Sequence, residues 1–159
     1  MIRVVLGSAS PARLAVLRSA GIKPEVIVSE VDEAGATAPD TEALVCELAR
    51  LKGEAVLARV LDDAADSSTP ASETVVLACD TMLEMDGRPH GKPGSAAAAL
   101  TRLREMRGGV GTLYTGHFVA VIDEKGTVAK QVRAAATTVH FADMSDAEIA
   151  WYAATGEPS

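Results

Sequence analysis

Residues 2–13 read IRVVLGSASPAR, an apolar run that stops abruptly at four small residues and a proline. An apolar run over 2–6 that ends at Gly7 predicts a buried strand feeding a tight loop. Pro11 suits the first turn of a helix. Leu14, Leu17 and Ala20 then keep helical spacing, and Gly21 follows where a left-handed residue ends such a helix. Strand, small-residue loop and helix in that order open an α/β sheet.

Working outward, residues 26–28 predict a second short strand and 30–39 an acidic, small-residue loop, with Asp40 or Thr41 placed to cap the next helix. That helix carries Leu44, Leu48, Leu51 and Ala55 on one stripe and is expected to end near Leu61. The polar stretch 62–73, DDAADSSTPASE, reads as an exposed loop. Residues 74–79 are apolar and β-branched, the mark of a central strand that meets Asp80 and Thr81 abruptly. Strand resumes over 82–85 before the hairpin signal Asp86-Gly87. Ser95 caps an alanine-rich helix with Leu100, Leu103 and Met106 on its apolar side, stopped by Gly108 and Gly109. Two long strands follow over 113–122 and 127–141. Ser145 and Glu148 match a capping box, starting a last helix that carries Trp151 and Tyr152. Early alternation of strand and helix with a hairpin-like later half favours an α/β fold with a mixed sheet.

The 159 residues are the size of one domain, and 48% hydrophobic with 23% charged residues excludes a chain dominated by disorder. Aromatic residues are only 3%, so Ala, Val and Leu must build the core and stacking platforms for bases are scarce. Fifteen Lys and Arg against 22 Asp and Glu give 15 − 22 = −7, which argues against broad nucleic-acid binding. A small anion remains compatible if a few cations concentrate at one place. Cys46 and Cys79 form neither a disulfide framework nor a zinc pattern, so a reducing cytoplasm is expected. No apolar run reaches the ~18 residues of a membrane span, and no apolar leader follows the N-terminal charge.

Three strand ends carry polar groups that folding does not require, and ligands of α/β sheets bind at such ends. In 7–13, small residues permit close backbone approach, Ser8 and Ser10 offer hydroxyls, and Arg13 rises from a first helical turn whose N–H groups favour an anion. A phosphate suits this loop; the plainer alternative is a turn with Ser10 as cap and Arg13 in solvent. The second is Cys79-Asp80-Thr81. A carboxylate at the end of an apolar strand is costly unless bonded, paired or on a metal, although an Asp that merely turns the strand is the alternative. Asp32 and Glu33 by themselves read as a solvated acidic turn. The third is Gly91-Lys92-Pro93, a cation between two restricted residues before a helix. It is not a P-loop, because Gly87 is one residue too close and Pro93 stands where Ser or Thr is required. Lys52 reads alone as a solvated helix lysine within reach of a ligand. Thr115-Gly116-His117 interrupts a strand, either for a close backbone approach or as a bulge. The three histidines lack zinc spacing, neither Ser8 nor Ser10 sits in a nucleophile elbow, and Cys79 reads as a structural thiol.

In chain order, SASPAR at 8–13, VDE at 31–33, Lys52 shortly after LAR, CDT at 79–81, GKP at 91–93, YTG at 114–116 and TGEP at 155–158 resemble the Maf family, across essentially the whole chain. The resemblance implies a Maf/ITPase-like fold: α/β, a mixed, strongly twisted sheet flanked by helices, with a deep substrate cleft. It implies a cytoplasmic nucleoside triphosphate pyrophosphatase, a hydrolase of acid anhydrides that needs a divalent cation, Mg²⁺ or Mn²⁺, and releases pyrophosphate and a nucleoside monophosphate. It further implies a link to septum formation and a homodimer. By position, Ser8, Arg13, Lys52 and Lys92 match phosphate-contacting residues, Asp80 the catalytic acid residue, and Glu33 a site carboxylate. Thr81 and Thr115 match supports near the substrate.

That chemistry fits the residue types. Cleavage between α- and β-phosphates must neutralise several negative charges and align a water, work suited to Arg13, Lys52 and Lys92 as clamps, with Asp80 and Glu33 on the metal and Asp80 as base. Ala12 stands where the family motif often has arginine, which leaves pyrimidine against modified-guanine nucleotides open. It also favours the alternative of a nucleotide-binding cell-division or septum regulator with weak or no catalysis. Cys79 replaces a common Ala. The family normally continues past TGEP into further strands, a helix and a substrate-contacting Gln. The expectation is therefore a single Maf-like domain over 1–159 that lacks this segment.

Overall fold

The computed structural model describes residues 2–65 and 73–156. In chain order the elements are β1 (Arg3–Leu6), α1 (Pro11–Ser19), β2 (Glu25–Val26), α2 (Thr41–Ala65), β3 (Thr74–Met85), β4 (Arg88–His90), α3 (Ala96–Met106), β5 (Val110–Ile122), β6 (Val128–His140) and α4 (Asp146–Ala154). The strands form one twisted, open, mixed sheet in the order β2-β1-β3-β5-β6, with β4 added to β3. β1 lies parallel to both neighbours, Val5 opposite Glu25 and Val76, while β3 and β4 are antiparallel, with Met85 opposite Arg88. The mixed α/β class read from the element order is the one observed.

The chain divides into two compact units. The first comprises Met1–Asp80 and Thr115–Ala135. Its core is Val5 and Val76 of adjacent strands, Ala49, Val56, Leu57 and Val60 of α2, Ala78, and Phe118, Ala120 and Ile122 of β5. The second comprises Thr81–Tyr114 and Ala136–Ser159. There α3 packs on α4 through buried Ala99, Met106, Ile149 and Ala153, and Arg107 pairs with Asp146.

Local signals account for most element ends. Ser10 caps α1 by accepting from the Arg13 N–H, Pro11 opens it, and Gly21 at φ +78° follows it. Asp40, rather than Thr41, caps α2, its Oδ1 accepting from the Ala43 N–H at 2.7 Å. Asp86 at φ +50° and Gly87 at φ +70° make the two-residue turn between β3 and β4. Ser95 caps α3, and the Ser145–Glu148 capping box starts α4.

Five expectations are corrected. β2 is two residues, because beyond Val26 the chain bonds to β1 only through the Ile27 N–H to the Leu6 carbonyl. α2 continues past Leu61 to Ala65, since Asp62, Asp63, Ala64 and Ala65 include no Gly or Pro to stop it; residues 66–72 of the expected loop lie outside the described residues. β3 does not end at Asp80 but runs unbroken to Met85, and β5 runs unbroken through Thr115-Gly116-His117 from Val110. Lastly, the buried stripe of α2 is not Leu44-Leu48-Leu51-Ala55. It is Thr41, Val45, Leu48, Ala49, Gly53, Val56, Leu57 and Val60.

The reason for that rotation is closeness. A Cβ added at Gly53 would lie 2.1 Å from the Phe118 ring, and one at Gly116 would lie 2.1 Å from the Val45 carbonyl oxygen. The side of α2 that carries Val45, Ala49, Gly53 and Val56 lets the helix approach β5 this nearly, and Leu44 and Leu51 are displaced to the flanks. Gly116 is thus an approach point and not a bulge. Gly116→Ala is expected to destabilise the protein by about 2–3 kcal/mol in urea unfolding, because the obstacle is backbone that cannot rotate away. Wild-type stability in that variant would contradict the close approach.

Candidate functional site

Two periodicities put charges where apolar residues belong. Along β3, Thr74, Val76, Ala78 and Asp80 are buried in strict alternation, so Asp80 occupies the sheet face that packs on the core and is 7% exposed. On α2, half-buried Lys52 lies one turn from both Leu48 and Val56, two residues of the buried stripe. The two meet. Lys52 Nζ lies 2.5 Å from Asp80 Oδ1 and 2.9 Å from Glu33 Oε1, the latter on the loop before α2. Burial by itself would lower the Lys52 ammonium, but the bonds to Asp80 and Glu33 outweigh it and hold the group above lysine's ordinary 10.5.

The loop after β1 supplies a second arm. Ser8 is 8% exposed, and its Oγ accepts from the Ser10 N–H at 3.2 Å and from Arg13 Nη1 at 3.1 Å. The same Nη1 donates to the Cys79 carbonyl at 2.9 Å. Arg13 therefore grips the peptide next to the carboxylate that Lys52 holds. Gly7 allows this closeness, since a Cβ there would meet Val56 at 3.1 Å and the Leu77 carbonyl at 3.3 Å. Burial, reinforced by Asp80 and opposed by Arg13, pushes the Cys79 thiol up, away from a reactive thiolate.

Ser8, Arg13, Glu33, Lys52 and Asp80 thus stand together in the first unit, and Glu33 is no mere solvated turn. Thr115 stands half-buried on β5 of that unit. Thr81 on β3 and Lys92, exposed in the segment before α3, belong to the second unit. A cavity of about 430 Å³ lined by Met85, Asp86, Arg88, His90, Glu105 and Met106 also lies in the second unit and holds none of these residues. Arg59, which no sequence motif marks, bonds to the Val28 carbonyl and to Glu30 beside the Glu33 loop. Its bonds, and no spacing in the sequence, reveal it.

For a hard cation the donors are Asp80 and Glu33, whose oxygens already converge on one ammonium. Mg²⁺ is commonly held by one or two carboxylates, its remaining positions filled by water and phosphate. Among the described residues, no group of three or more His, Cys, Asp and Glu is placed to hold a metal ion. Cations, a hydroxyl and paired carboxylates at a strand–loop–helix junction of an α/β protein are the groups that anion binding and acid–base chemistry call for.

The chain belongs to the Maf family: the family model for Maf-like protein matches residues 3–159. It is 48% identical over 160 residues to a nucleoside triphosphate pyrophosphatase of Salinispora tropica, covering 99% of this chain and 66% of that protein. It is 46% identical over 155 residues to one from Cutibacterium acnes, covering 98% of this chain and 70% of that protein. The chain thus spans about two thirds of the length of these relatives. It is also similar to the structure of a HAM1 protein from Coxiella burnetii, at 16% identity and a TM-score of 0.49, over 91% of this chain and 75% of that one.

Replacing Lys52 by Met leaves Asp80 buried without its ammonium. A loss of about 2–4 kcal/mol at neutral pH is expected in chemical denaturation. Because the folded-state value of Lys52 is raised, its stabilisation is complete below pH 10.5 and is lost as pH climbs through the higher folded value. On the alkaline side the gap between wild type and variant should therefore begin to narrow only above pH 10.5. Equal stabilities at neutral pH would contradict the pairing.

Proposed function

We propose that this chain hydrolyses the α–β phosphoanhydride bond of nucleoside triphosphates, releasing pyrophosphate and a nucleoside monophosphate. The observation that carries the reading is the convergence of Lys52, Asp80 and Glu33 beside the Ser8–Arg13 loop, in a chain whose Maf relatives are named for this activity.

Arg13, Lys52 and the Ser8 hydroxyl clamp the phosphate oxygens, and the α1 N-terminus adds its N–H groups. Asp80 is the general base: Lys52 fixes its Oδ1, which orients the carboxylate and leaves Oδ2 to take a proton from the attacking water. As charge builds on departing pyrophosphate, the guanidinium and ammonium stabilise it without moving far, since both are already held. Asp80 and Glu33 are the residues that would hold Mg²⁺ or Mn²⁺. When bound, that cation supplies further neutralisation of the triphosphate. Lys92, Thr81 and Thr115 are assigned to the same substrate by their places in GKP, CDT and YTG. The two compact units are assigned to one Maf-like domain, working as a homodimer with a role at septum formation.

The cytoplasm is the proposed compartment. Both cysteines are free thiols, and among the described residues no helix is long and apolar enough to cross a membrane. Ala12 stands in the substrate loop where the family motif often has arginine, so the substrate panel below includes both standard and modified nucleobases.

Asp80→Asn should lower kcat by about 10²-fold or more. Pyrophosphate release should be assayed over a panel of standard and modified nucleoside triphosphates, with Mg²⁺ and then Mn²⁺. Near-normal release by Asp80→Asn would remove Asp80 from the role of base. Nucleotide binding without release by the wild-type protein would establish a regulator instead.

A further inference from the structure

The loop that carries Glu33 is tied to α2 at two points. At one, Arg59 Nη1 donates to the Val28 carbonyl at 2.9 Å and Nη2 donates to Glu30 Oε2 at 2.6 Å. At the other, Lys52 meets Glu33 at 2.9 Å. Lys52 and Arg59 are seven residues apart on one uninterrupted helix. Seven residues are two turns, so both project from the same side of α2, ~10.5 Å apart along its axis. Three residues of chain, from Glu30 to Glu33, reach at most ~10–11 Å. Only three residues of chain separate the two ties, so where Glu30 is held limits where Glu33 can lie.

Glu30 shows why the first tie is needed. Its φ is +52°, in the left-handed region that residues with a Cβ disfavour. Its carboxylate and the carbonyl of Val28 are both gripped by one guanidinium, whose fork fixes direction as well as distance. The Arg59 side chain is 45% exposed, so the ion pair contributes little to global stability. Its effect is local, on where the following residues lie.

We propose that Arg59 is a positioning residue for Glu33. By holding Val28 and Glu30 on α2, it sets the reach of the loop so that the Glu33 carboxylate converges with Asp80 on one cation. The kinetic consequence rests on the pyrophosphatase reading; the tether itself does not.

The test is a double-mutant cycle with a second, activity-independent measurement. Pyrophosphate release is measured against Mg²⁺ concentration for wild type, Arg59→Ala, Glu30→Gln, Glu33→Gln and the Arg59→Ala/Glu33→Gln pair. Arg59→Ala is expected to lower kcat/KM about fivefold and to raise the Mg²⁺ concentration for half-maximal rate, with Glu30→Gln acting in the same direction. In the Glu33→Gln background, Arg59→Ala should add less than about twofold. Hydrogen exchange is then read without metal or nucleotide at the Ala34 and Ala36 amides, which bond to Asp32 Oδ1 and the Glu33 carbonyl. Exchange should be about threefold faster or more in Arg59→Ala. Equal kinetic cost in both backgrounds, or unchanged exchange at those amides, overturns the proposal. If wild type releases no pyrophosphate, the activity reading fails and the exchange contrast alone decides the tether.

Discussion

Lys52 carries its charge on the side of α2 that otherwise buries Val45, Ala49 and Val56, and Asp80 carries its own on the sheet face that otherwise buries Val76 and Ala78. Neither position tolerates a lone charge. Desolvation penalises each, and only the 2.5 Å bond between them, completed by Glu33 at 2.9 Å, makes the arrangement stable. Apolar side chains at both positions would fold at least as well, so the pair is best understood as chemistry that the packing accommodates. The accommodation is specific. Gly53 under the Phe118 ring and Gly116 against the Val45 carbonyl bring α2 onto the strands closely enough for an ammonium on the helix to reach a carboxylate on the sheet.

The second arm is anchored to the same short piece of β3. Arg13 holds the carbonyl of Cys79 and Lys52 holds the side chain of Asp80, so adjacent residues of one strand fix two cations that come from different helices. A triphosphate presents oxygens that two prepositioned cations can share, and a rigid strand between them keeps their separation constant. The net charge of −7 is compatible with such a ligand because the attraction needed is local. Exposed acidic residues elsewhere are screened within about 10 Å at ordinary salt.

How much of this is legible in the sequence depends on range. Caps and turns are read from a few neighbouring residues, and Ser10, Ser95, the Ser145–Glu148 box and Asp86-Gly87 all behave as their local chemistry dictates. Features set by long-range packing are not. The stripe of α2 is chosen by its approach to β5, which favours Val45, Ala49 and Val56 over the more hydrophobic Leu44 and Leu51. That same choice moves Lys52 from a solvated flank to the buried face. Asp80 looks like the end of a strand because polarity changes there. The backbone continues, and alternation from Thr74 makes Asp80 the fourth buried residue in a row of alternates. Glu33 looks like part of an acidic turn because its partner Lys52 is on a helix that begins only later in the chain. The motif set read in order supplies what periodicity could not, since it groups Ser8, Arg13, Glu33, Lys52 and Asp80 before their contacts are known. Arg59 lies outside every motif, and only its bonds to Val28 and Glu30 reveal it.

Which phosphoanhydride bond is cut decides the matter. Phosphorus NMR of the full chain incubated with Mg²⁺ and a panel of nucleoside triphosphates, dTTP and UTP among them, reads the products directly. Growth of a nucleoside monophosphate signal together with inorganic pyrophosphate, in equal amounts and without a nucleoside diphosphate intermediate, is the result predicted. Nucleoside diphosphate with orthophosphate, or unchanged triphosphate throughout the panel, would contradict it.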